Sequence, residues 1–116
     1  MSRDPALLLA DIAERCRLVL GWTAGLSQPA FEADRRAVDA VLRNLEVIGE
    51  AVKGLPEELR PRHPEIPWRK IAGFRDVLIH ACFRVDPDLV RDIVRHHVPA
   101  LLAAVEAMPG ETPPAP

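Results

Sequence analysis

Apolar side chains recur every three to four residues along most of the chain, and no stretch alternates apolar with polar. That period puts them on one face of a helix rather than on a strand. Leu9, Ile12, Ala13, Cys16, Val19, Leu20 and Thr23 form the first such face, widened by Leu7, Leu8 and Leu18. Asp4 as N-cap and Pro5 at the first helical position predict its start. Asp11 and Arg15 make an (i, i+4) pair on the other side. GWTAGLSQ, residues 21–28, ends this helix and supplies a loop. Ser27 or Gln28, followed by Pro29, opens the next helix, which the pattern carries over about residues 30–54. Val38, Val41, Leu42, Leu45, Ile48 and Val52 are its apolar face, and Arg36, Asp39, Arg43, Glu46, Glu50 and Lys53 a charged line. A third face reads Ala33, Ala37, Ala40, Asn44 and Ala51, small enough for another helix to come close. Asn44 lies in that seam, and a buried amide has to find partners. Gly54 fits the C-terminal cap.

PEELRPRHPEIP, residues 56–67, carries four prolines. It predicts a short helical turn at 56–60 and then a stiff loop. Pro67 starts a third main helix, from 68 to about 83. Asp86 with Pro87 starts a fourth, ending near His97. Pro99 breaks or kinks it, and residues 101–108 continue as a last segment. PGETPPAP, residues 109–116, cannot build a core and is expected to be a disordered tail. The expected fold class is all-α: an antiparallel helical bundle of four main helices plus a short C-terminal segment, one domain over residues 1–108.

A chain of 116 residues, close to half of them apolar, is long enough for one modest core and too apolar to stay unfolded. It has no run of about 18 apolar residues, so no membrane span is expected. MSRDPALLLADIAER turns acidic soon after a short apolar run and lacks the features of a signal peptide. Cys16 and Cys82 make no disulfide framework and have no metal-ligand spacing, which favours a reduced, cytoplasmic setting. Net charge is −2, against a general nucleic-acid coat. Its distribution says more. Residues 1–59 carry seven basic and ten acidic groups, whereas residues 60–97 carry eight and five. An anion-binding surface therefore belongs in the second half.

That half contains GFRDVLIHACF, residues 73–83, in which Arg75, Asp76 and His80 interrupt an apolar helical run. Charged groups are costly to bury unless paired. Asp76 and His80 are four apart and share a face, so the carboxylate can fix the tautomer of the imidazole and favour its protonated form. Arg75 and His80 are five apart, about 140° around the axis, and meet only if the guanidinium bends toward a groove. Two readings stay open on spacing alone: a buried ion pair with a capping histidine, or a site.

RDVLIHAC, residues 75–82, resembles the R-x4-H-x-Y signature of HepT-like proteins of the HEPN superfamily. VLRNLEVIGEAVKGLPEEL (41–59), HPEIPWRKIAGFRDVLIH (63–80) and VDPDLVRDIVRHHVPALL (85–102) resemble the same family, in its order and at its spacing. The resemblance implies an all-α homodimer acting as a metal-independent endoribonuclease, the toxin of a toxin–antitoxin pair. It implies a partner, a nucleotidyltransferase of the MNT type, which transfers AMP from ATP to the signature tyrosine. No cofactor is implied, and no metal. The catalytic residues it carries over are Arg75 and His80, with Asp76 beside them. They suit the chemistry, because RNA cleavage needs an acid, a base and positive charge at the phosphate. Two signature helices meeting across a twofold axis bring two histidines and two arginines into one cleft.

The chain departs from the family at one important place. Cys82 stands where the signature has tyrosine, and the chain contains no tyrosine. Three readings follow: inhibition by binding alone, modification of another hydroxyl such as Ser27 or Thr23, or a drifted member with weakened catalysis or regulation. Cys82 itself reads as a redox handle or, more commonly, as a small core or interface hydrophobe. Arg91 occupies a position where some relatives have a second tryptophan. Arg69, Lys70 and Arg84, with Arg60 and Arg62, flank the signature as phosphate-binding candidates or as solvated charge. Glu46 and Glu50 are candidates to pair with a signature arginine. His63, His96 and His97 lack a third ligand at zinc spacing, and the adjacent pair is expected to complement a helix C-terminus before Pro99. Trp22 and Trp68 are read as base-stacking groups or as core. The alternative function is a non-catalytic subunit that presents substrate or nucleotide to a nucleotidyltransferase.

Overall fold

The computed structural model describes residues 4–74 and 87–108. Every regular element among them is helical, and none is a strand. Helix α1 spans Pro5–Thr23, and the Asp4 carboxylate accepts the Ala6 N–H at 2.9 Å, so the N-cap and the first-turn proline fall where expected. Gly25 has φ +76, and this left-handed residue turns the chain from α1 into α2. Helix α2 is Gln28–Ala33, capped by the Ser27 hydroxyl, which accepts from the Ala30 N–H at 3.2 Å.

The helix expected over 30–54 is two helices. The Asp34 N–H ends α2 on the Phe31 carbonyl at 3.1 Å, and its carboxylate accepts the Ala37 N–H at 3.1 Å. One aspartate thus closes one helix and opens α3, Arg35–Lys53. Gly54 ends α3 as expected, donating to Ala51 and Val52 carbonyls.

The proline-rich stretch folds as a 3-10 turn, Glu57–Arg62, two residues longer than the turn expected. Arg60 fastens it to α3. Its Nη2 donates to the Val52 carbonyl at 2.9 Å and to that of Lys53 at 3.4 Å, satisfying carbonyls a helix end leaves bare. Trp68, buried, returns the favour from the far side of the loop: its indole N–H donates to the carbonyls of Arg60 and His63 at 3.1 and 3.0 Å. Helix α4 is short, Trp68–Ala72, and the Gly73 N–H caps it on Arg69 and Ile71 carbonyls. The continuous helix expected from 68 is therefore interrupted at Gly73, and its expected course beyond Phe74 lies outside the described residues.

Helix α5 is Pro87–Asp92, followed by a π turn at Ile93–His97 and helix α6 at Val98–Ala107. The expected break at Pro99 is made upstream of it. The Val98 N–H reaches back five residues to the Ile93 carbonyl, and this widened turn feeds Pro99 into the first turn of α6, where its missing N–H is harmless.

Helix α1 packs against both α3 and α6, and α4 lies against α3. The core runs through Leu9, Ile12, Cys16 and Val19 of α1, then Val41, Leu45, Ile48 and Val52 of α3. Leu101, Ala104 and Val105 of α6 close it. Leu7 and Leu18, expected to widen the α1 face, are exposed instead, and Trp22 with them. Asn44 is the buried polar side chain of this core among the described residues. Its Nδ2 donates to the Ala40 carbonyl at 2.8 Å and its Oδ1 accepts from Arg15 at 2.9 Å, so the amide in the seam has its partners.

Candidate active site at the end of helix α4

The approach to the signature is set by a glycine. A Cβ on Gly49 of α3 would stand 2.8 Å from the Ile71 carbonyl oxygen and 3.6 Å from Phe74 Cβ. Only a hydrogen fits there, so the backbone at the end of α4 lies directly on α3. Ile71 and Phe74 are buried on the same side, and Trp68 holds the start of the helix. Residues 68–74 are therefore fixed at both ends, and residue 75 follows at once.

Arg69 and Lys70 fill the last turn of α4, exposed, and neither is held in an ion pair or hydrogen bond among the described residues. Cations at a helix C-terminus oppose the dipole's negative end and remain available to an anion. Arg60 belongs elsewhere: its guanidinium is consumed in capping α3, so it is no phosphate ligand. Arg75, Asp76, His80, Cys82 and Arg84 lie outside the described residues. Glu46 pairs with Arg43 at 3.9 Å and Glu50 with Lys53 at 3.8 Å, both along α3.

His97 was not legible as part of this neighbourhood. Its ring centroid lies 6.5 Å from that of Phe74, tilted by 50°. Burial, reinforced by Lys70, pushes its pKa below the ordinary 6.5, with Asp92 acting weakly the other way. A half-buried imidazole biased to the neutral form thus rests on the residue before Arg75. It was expected at a helix C-terminus, but the chain continues into α6, so no helix ends there. His96 points instead to Asp92 at 3.6 Å, and His63 to Glu65 at 3.5 Å. Among the described residues no three His, Cys, Asp or Glu side chains gather where they could hold a metal ion. Trp68 is core, whereas Trp22 is 40% exposed.

Taken together, the helical bundle and the polar signature that follows α4 define a class, the all-α HEPN-type proteins. The family model described as "Ribonuclease HepT-like" matches residues 12–108. A protein of Thermococcus cleftensis named "Probable ribonuclease HepT" is 40% identical over 108 residues, covering 93% of this chain and 98% of that relative. A Methanocaldococcus jannaschii protein named "Putative RNase MJ0127" is 38% identical, over 90% of this chain and 87% of its own. A Caldanaerobacter subterraneus protein similarly named an RNase is 37% identical, over 85% and 88%. The chain belongs to the ribonuclease HepT-like family. No solved structure matches it.

Proposed function

We propose that the protein is a metal-independent endoribonuclease whose site is built from Arg75 and His80, with Asp76 orienting the imidazole. The observation that carries this reading is the family match over residues 12–108, which spans the whole R-x4-H segment. The exposed Arg69 and Lys70 immediately before that segment add positive charge where a phosphate backbone would enter.

In this mechanism a histidine takes the proton from a ribose 2′-hydroxyl, and the oxygen attacks the adjacent phosphorus. The bond from phosphorus to the 5′-oxygen breaks, and the leaving oxygen takes a proton from an acid. Arg75 stabilises the charge that builds on the non-bridging oxygens. The products are a 2′,3′-cyclic phosphate and a free 5′-hydroxyl. One histidine per chain supplies one proton carrier, so two chains paired about a twofold axis supply base and acid together. The protein is the toxin of a pair whose antitoxin is an MNT-type nucleotidyltransferase, working in the cytoplasm. With Cys82 at the tyrosine position, the antitoxin acts by binding, not by placing AMP at residue 82.

The test is cleavage of total RNA and tRNA with EDTA present, comparing wild type with His80→Ala and Arg75→Ala. Cyclic-phosphate ends in the wild type, lost in both variants, support the enzyme. An inert wild type that still binds a nucleotidyltransferase tightly would replace it with the reading as a non-catalytic binding subunit.

A further inference from the structure

On the other side of α5 and the π turn, away from residues 69–74, lies a groove of about 320 Å³. Its walls are apolar: Leu20 at the end of α1, Phe31 of α2, and Val94 with Pro99. Arg91 and Arg95, four residues apart, both line it and are exposed. Neither guanidinium is engaged in an ion pair or hydrogen bond among the described residues. Thr23 also lines the groove, and its hydroxyl proton is committed to the Val19 carbonyl at 2.9 Å, leaving the oxygen as an acceptor.

Two unpaired guanidiniums over an apolar wall call for a ligand that is anionic at one end and flat and apolar at the other. The volume sits at the lower end of small-molecule sites, which run from roughly 300 Å³ upward. It is too small for a partner helix, whose diameter is about 10–12 Å, and suits a single planar ring. Guanidiniums pair with phosphate in a planar fork, and an acceptor such as Thr23 Oγ1 meets an exocyclic amine. We propose that this groove holds one nucleotide of a single-stranded RNA, the base against the apolar wall and the phosphate on Arg91 and Arg95. The proposal rests on RNA being the substrate and adds to it a subsite distinct from the cleavage residues.

The test uses the full chain and a fluorescently labelled 2′-O-methyl RNA oligonucleotide, which cannot be cut through its 2′-oxygen, with AMP as a second probe. Binding is followed by anisotropy over a salt series. Removing both cations with Arg91→Ala and Arg95→Ala is expected to weaken oligonucleotide binding about tenfold and to lower the salt slope by about 0.7, the share of one phosphate on a single strand. Arg91→Trp, which fills the groove, is expected to weaken it as well. Lys53→Ala at the far end of α3 removes a charge and is expected to change little. Far-UV circular dichroism confirms that each variant is folded. Oligonucleotide binding unchanged in the groove variants, or weakened equally by Lys53→Ala, overturns the subsite. So does AMP binding that depends on the groove while strand binding does not. Because the probe is uncleavable, the two readings fail separately. Groove-dependent binding by a protein that never cuts RNA ends the nuclease reading alone, and normal cutting by variants that bind as wild type ends the subsite alone.

Discussion

At the scale of single residues, buried titratable groups in this chain are held in their neutral forms. The Cys16 thiol, buried in the core, is pushed up to about 12, chiefly by burial, and so remains an inert hydrophobe. His97 is more consequential because it touches Phe74. Its folded-state pKa lies below the 6.5 of an ordinary histidine, through burial first and Lys70 second. The unfolded chain therefore takes up the proton before the folded one does. Stability tied to this group is complete above about pH 6.5 and is lost as pH falls through the folded-state value. Urea titrations at pH 7.5 and 5.5 are expected to show wild type losing more stability on acidification than His97→Gln, which keeps a polar side chain that never charges there. Equal losses in both would mean that the imidazole is not held neutral by its surroundings.

At the scale of elements, most boundaries were legible because the local chemistry at helix ends is local in sequence. Asp4–Pro5, Ser27–Pro29 and Gly54 announced their ends and delivered them. Asp34 did not, because the apolar spacing runs on across it and nothing else there breaks a helix; only its side-chain bond to Ala37 reveals the cap. The π turn was illegible for a similar reason: Pro99 signals a defect, but the chain absorbs it one turn earlier. The R-x4-H segment stood out as polar groups in an apolar run. The contact of His97 with Phe74 joins residues far apart in sequence, and no spacing rule reaches it. Gly49 lies between these cases. IGEA was recognisable as a motif, but its reason is tertiary, the 2.8 Å between a would-be Cβ and the Ile71 carbonyl. Backbone cannot yield as a flexible side chain does, so Gly49→Ala must push α4 off α3. The expected cost is about 1–3 kcal/mol, typical of overpacking, read as a lowered urea midpoint. Because residue 75 follows directly from this contact, RNA cleavage is expected to fall further than unfolding explains when assayed where the variant is still fully folded. A variant as stable and as active as wild type would show that α4 is free to move.

At the scale of the whole molecule, the question is why one small bundle would need a second copy. Within a single chain the signature supplies one imidazole at residue 80, while cleavage by a 2′-oxygen requires one group to accept a proton and another to donate one. The other histidines do not fill the gap. His63 and His96 are drawn to Glu65 and Asp92, and His97 faces Phe74 under a bias toward the neutral state. A twofold pair solves this without further residues, since each His80 finds its complement in the other protomer. Two consequences separate this arrangement from a self-sufficient monomer. Specific activity should fall on dilution in step with dissociation of the dimer, followed in parallel by mass photometry. Adding excess His80→Ala protein to a fixed amount of wild type should suppress cleavage, because mixed dimers keep only one of the two imidazoles. Activity that stays constant through dissociation, or that ignores the inactive protomer, would place both proton carriers within one chain and return the acid's role to a group such as Asp76.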